Sequence, residues 1–117
     1  MTETTTINVE LKYLETLVLE HYKKELNDTN INLKTVITSD DYCDYLNFVI
    51  TKSVKIGVYE GKTEYALRVA DITEILNKDL EESGYKLDFF NYEINNKKVE
   101  NIKATVKQIG KVKQKTL

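Results

Sequence analysis

Residues 38–48, TSDDYCDYLNF, set Asp40, Asp41 and Asp44 beside Cys43, the only cysteine, and beside Tyr42 and Tyr45. Three carboxylates this close have the chemistry of a hard-cation site, because Mg²⁺ and Ca²⁺ take oxygen ligands. Asp40 and Asp41 are adjacent, however, and diverge in extended backbone. No glycine is present to fold a ligand loop, and the same residue types are ordinary turn formers. The expected role is a turn running into a strand. Cys43 becomes a nucleophile only next to a base that draws off its proton. The single histidine, His21, lies at helical spacing from Leu14, Leu17 and Val18, on the flank of an apolar stripe. A Cys43–His21 pair has no orienting third residue and falls short of the three or four ligands that zinc needs. Gly57, Gly61, Gly84 and Gly110 are dispersed, so none builds a phosphate-cradling loop. The expectation is a non-enzymatic chain with no catalytic residue, no metal and no cofactor.

Two other sets of residues could bind rather than react. The segment YKLDFFNYEI carries Phe89, Phe90 and Tyr92, while Tyr45 and Tyr65 fall on other strands. Aromatic rings on a sheet face give large contact area at low entropy cost, which suits a protein partner, including a second copy of the chain. These five are the expected partner-binding residues. Adjacent Phe89 and Phe90 cannot both enter one core on a strict period of two, so the strand needs a bulge or a two-sided environment. After Glu100 no acid follows, and Lys103, Lys107, Lys111, Lys113 and Lys115 remain. With sheet aromatics to stack bases, such a cationic end supports nucleic-acid binding as the alternative. Arg68, the only arginine, and a net charge of −2 weigh against it.

The 117 residues fit a single α+β domain, 1–117, with 1–5 and 111–117 flexible. A hydrophobic content of 41% supplies one core, and 31% charged residues clothe it. No apolar run approaches the roughly 18 residues of a membrane-crossing helix. The start, MTETTT, lacks the basic and apolar parts of a signal peptide, and one cysteine forms no internal disulfide. A cytoplasmic setting without membrane contact is expected.

Ile7, Leu11, Leu14, Val18 and Tyr22 recur at helical spacing, which predicts a helix over about 8–26. Asn27-Asp28-Thr29-Asn30 ends it. Period-two patterns then predict strands at 33–38, 42–51, 54–58 and 63–69, with turns at Ser39–Asp41, Lys52–Ser53 and Glu60–Gly61. Asp71 reads as the cap of a second helix carrying Ile72, Ile75, Leu76 and Leu80, stopped at Ser83–Gly84. A last hairpin, 85–94 and 98–109, turns at Asn95–Asn96. The order is α-β-β-β-β-α-β-β, one antiparallel sheet of about five to six strands with both helices on one face. Size and composition fit an accessory, inhibitor, immunity or assembly protein, of a kind that phages and other mobile elements encode.

Overall fold

A computed structural model describes residues 4–109, arranged as β1 (Thr4–Val9), α1 (Leu11–Glu25), β2 (Ile31–Ser39), β3 (Asp44–Ile56), β4 (Tyr59–Ala66), α2 (Val69–Glu82), β5 (Tyr85–Asn95) and β6 (Lys98–Gln108). The class is α+β, as expected. The six strands form two antiparallel sheets of three, β1-β6-β5 and β2-β3-β4, rather than one continuous sheet.

The first correction lies at the N-terminus. Thr4–Val9 is a strand paired with β6, with Ile7 opposite Ala104 and Val9 opposite Ile102. Ile7 therefore belongs to a strand and not to the helical stripe, and Thr4 and Thr5 are paired rather than loose. β-Branched residues dominate TTTINV, and their stiff side chains favour a pleated backbone. From Leu11 the helical pattern holds. Leu14 and Val18 are fully buried, and Asn27, at φ 49°, ends the helix in the left-handed conformation.

β3 is a single strand of 13 residues that runs straight through Lys52–Ser53, where a turn was expected. The hairpin turn is Gly57-Val58, since Ile56 is opposite Tyr59. Of the two central residues only Gly57 has positive φ, +61°, the pattern of a type II′ turn. Glu60 and Gly61 lie within β4. The final turn shifts by one residue. Asn95 is opposite Lys98, and Asn96 and Lys97, at φ 51° and 61°, form a type I′ turn. α2 starts at Val69, earlier than expected. Arg68 occupies its N-cap without a side-chain bond, and Asp71, in the first turn, pairs with the Arg68 guanidinium at 3.2 and 3.3 Å. The helix ends as expected, with Gly84 at φ 88°.

β5 contains the bulge that its sequence requires. The register passes from Leu87↔Val106 to Phe89↔Thr105, leaving Asp88 extra. Tyr85 and Leu87 face the core before it and Phe90, Tyr92 and Ile94 after it, while Phe89 is left outside. A second irregularity, at Asn101 with φ 51°, makes the matching change of phase in β6 between Val99 and Ile102. One core unites Leu14 and Val18 of α1, Ile72, Ile75, Leu76 and Leu80 of α2, and Ile102, Ala104 and Val106 of β6 with Leu46 and Phe48 of β3. Polar contacts seal the seams. The Tyr13 hydroxyl donates to Asp79 at 2.6 Å between the helices. The Asn77 side chain of α2 accepts the Leu87 N–H of β5 at 2.9 Å.

The two sheets meet where β3 has a free side. Residues 44–48 of β3 pair with β2 alone, and here the Leu46 N–H donates to the Tyr92 hydroxyl at 3.4 Å. At the adjoining turn Lys97 reaches the Ser39 hydroxyl and lies 3.5 Å from the Asp44 carboxylate.

Candidate interaction surface

The acidic stretch of residues 40–44 is a turn whose carboxylates are already in use. One Asp40 oxygen accepts the N–H groups of Tyr42 and Cys43, each at 2.8 Å, and the other accepts the Tyr45 hydroxyl at 2.9 Å. These donors, the Cys43 and Tyr42 N–H groups first, hold the Asp40 carboxyl below its ordinary range. Hydrogen bonding to Cys43 and then to Asp40 pushes the Tyr45 phenol up to about 12. Asp44 accepts from the Ser39 hydroxyl and pairs with Lys97. Among the described residues no group of three or more His, Cys, Asp or Glu side chains is placed to hold a metal. Cys43 is exposed at the far end of β2 from α1. The nine residues of β2 span about 30 Å. Tyr22, next to His21, lines a groove with Ile31 at the opposite end of that strand, so His21 is remote from Cys43. His21 instead stacks edge-on against Tyr22, ring centres 5.0 Å apart, beside Glu25, Asp71 and Glu74. Burial first, then the Asp71 carboxylate, raises the Tyr22 phenol.

The five aromatic candidates do not share a face. Phe90 and Tyr92 pack against the core, so the expected patch is half dismantled by the Asp88 bulge. Phe89, Tyr45 and Tyr65 stay exposed. Tyr65 is opposite Ile50, on the side that the helices cover, whereas Tyr45 alternates with the buried Leu46 and points the other way. Lys103 and Lys107 lie on β6, where they alternate with the buried Ala104 and Val106, and Phe89 is opposite Thr105 between them. Lys107 is partnered by Asp88 at 3.6 Å. Lys111, Lys113 and Lys115 lie outside the described residues.

One group of exposed apolar residues escapes the sequence analysis. β2 begins at Ile31, opposite Lys52, so among the described residues β3 beyond Lys52 has no strand neighbour except β4. Residues 53–62 thus form a two-stranded ribbon that extends about 13 Å past the end of β2. An isolated ribbon has no layer to bury it. At its tip Ile56 is 71%, Val58 89% and Tyr59 76% exposed. The signal was present in VKIGVYEGK: apolar residues flank and occupy the turn, where polar ones are the rule. Beside the root of this arm, Tyr22, Leu26, Tyr65 and Leu67 line an apolar groove of about 370 Å³. Ile31 and Ile50, both buried, belong to its lining. No described helix is long and apolar enough to cross a membrane.

Comparison with models of protein families, with curated proteins and with solved structures gives no match.

Proposed function

We propose that this protein is a small non-enzymatic accessory protein of the cytoplasm that works by binding another protein through the β3–β4 arm. The inhibitor, immunity and assembly classes all operate in this way, and a chain from a phage or other mobile element fits the size. The observation that carries the reading is the arm itself. It exposes Ile56, Val58 and Tyr59 together on a ribbon with free strand edges, and Tyr65, one of the five aromatic candidates, lies at its root. Exposed apolar side chains in contiguous positions mark contact surfaces, and unpaired strand edges add directional main-chain bonds.

The test is affinity capture from the native host with the wild type, Ile56→Asp and Tyr59→Asp side by side. Both substitutions sit far from the core, so folding should be unchanged. A protein retained by the wild type and lost from both variants is the expected result. Capture that both variants preserve would overturn the reading. One observation favours nucleic acid as a second reading: Phe89 lies between Lys103 and Lys107 on the open face of the β1-β6-β5 sheet. Titration of labelled single strands at two salt concentrations decides it. Binding that falls steeply with salt and is lost in Phe89→Ala would favour that face over the arm.

A further inference from the structure

Among the described residues β4 is the outer strand of its sheet and pairs with β3 alone. Its two-residue turn makes Ile56 and Tyr59 a hydrogen-bonded pair, so main-chain groups of Tyr59, Gly61, Thr63 and Tyr65 point at β3. Those of Glu60, Lys62, Glu64 and Ala66 point outward. The edge is straight, with neither proline nor bulge to protect it. Its outward residues alternate in sign, Glu60, Lys62, Glu64, a pattern that sets the register of a neighbour. Lys34 of β2 also donates to Glu64 Oε1 at 2.7 Å.

Gly61 is a second and independent sign. It lies mid-strand without a positive φ, and a Cβ placed on it would meet nothing within 4 Å. Nothing among the described residues requires glycine here. Glycine in a strand interior often marks a bulge, a bend or a close approach by a ligand or another backbone, and β4 keeps an unbroken register with β3 at Gly61.

We propose that the β4 edge pairs antiparallel with the β4 edge of a second copy of this chain, about a two-fold axis through Thr63. The inference rests on the arm being the protein-contact surface and names its occupant. Outward residues must oppose outward residues, so symmetric registers differ in steps of one residue in the position of the axis. An axis through Lys62 sets Lys62 against its own copy and Glu60 against Glu64, like charges directly opposed. An axis through Gly61 matches Glu60 with Lys62 but runs Tyr65 and Glu64 into the Gly57-Val58 turn. With the axis at Thr63, every residue of β4 finds a partner. Lys62 faces Glu64 twice, and Glu60 faces Ala66. Tyr65 falls opposite Gly61 in a non-hydrogen-bonded pair, where side chains approach most closely and a ring can cover a glycine. Tyr59 of each copy comes opposite Leu67 of the other, at the groove that Tyr22, Leu26 and Leu67 line. The arm's bare apolar face is thereby brought to the other copy's covered end, and the two three-stranded sheets become one of six strands.

The experiment uses the full chain carrying Cys43→Ser, with Gly61→Cys, Lys62→Cys or Thr63→Cys added singly and oxidised under native conditions. Thr63→Cys should lose its monomer band to a disulfide-linked dimer fastest of the three, since only residues on the axis meet their own copies. Light scattering of the wild type should return twice the chain mass. Lys62→Glu should return it to one chain, and Lys62→Glu with Glu64→Lys should restore the doubled mass. A wild type that stays monomeric, or faster cross-linking at Gly61→Cys or Lys62→Cys, overturns the proposal. If the wild type is monomeric while Ile56→Asp and Tyr59→Asp still abolish capture of a host protein, the arm reading stands and only self-pairing fails. A doubled mass untouched by Lys62→Glu, with capture also untouched by the arm variants, rejects both.

Discussion

Asp40 shows how a residue that looks chemical is consumed by architecture. Its carboxylate closes the β2–β3 turn by accepting two main-chain N–H groups and the Tyr45 hydroxyl. Those bonds, the Cys43 and Tyr42 N–H groups first, hold its pKa below the ordinary 3.8. Asp28, Asp44, Glu64 and Asp71 are lowered as well, each by a hydrogen-bond donor first: the Asn30 N–H, the Ser39 hydroxyl, Lys34 and Arg68. A carboxyl with a folded value below its unfolded one adds stability above the unfolded value and loses it as pH falls through the folded one. Stability should therefore hold near neutrality and fall below about pH 4. Urea midpoints at about pH 6 and about pH 3 should show this, with Asp40→Asn narrowing the difference. An unchanged gap in that variant would mean that Asp40 does not contribute. The turn was legible in the sequence because Asp and Asn compete for nearby N–H groups wherever they fall. The use of Asp71 was not, because its distance to Arg68 depends on where the helix begins.

At the scale of elements, the local periods were readable and the partners were not. Leu14 and Val18, or Ile72, Ile75 and Leu76, repeat every three or four residues and identify their helices directly. Phe89 beside Phe90 announced a break in strand phase, and the bulge at Asp88 supplies it. β1 was hidden because Ile7 stands four residues before Leu11, continuing a helical count by coincidence. Gly57 falls inside the strand expected at 54–58 and the turn was expected at Glu60–Gly61; the register with β3 places the turn at Gly57 instead. Division into two sheets follows from pairings distant in sequence, such as β1 with β6, on which periodicity is silent. One side chain bonds across the seam between α2 and β5. Asn77→Ala leaves the part-buried Leu87 N–H without its acceptor and should cost about 1–3 kcal/mol, read from the urea midpoint. Asn77→Asp keeps an acceptor and should recover most of it. Equal loss in both would assign the effect to packing instead.

For the whole molecule, the core and the exposed surface lie at opposite ends of the same strand. The first half of β3 buries Leu46, Phe48 and Ile50, while its second half carries an apolar tip beyond every covering layer. Burial gives that tip no reason to be apolar within a single chain, since about 25 cal/mol per Å² is gained only on area removed from water. Of the aromatic surface expected from sequence, Tyr65 alone belongs to this arm. Phe90 and Tyr92 serve the core, and sequence could not separate the two because the bulge decides which way each ring faces. The central claim is that another protein sits on the arm. Residue-resolved amide hydrogen exchange tests it most directly, comparing the dilute chain with the chain in the complex it forms. Protection should appear at the outward N–H groups of Glu60, Lys62, Glu64 and Ala66, which have no strand partner among the described residues. Exchange there that stays fast in the complex, with new protection on β6 or β5 instead, would contradict the account.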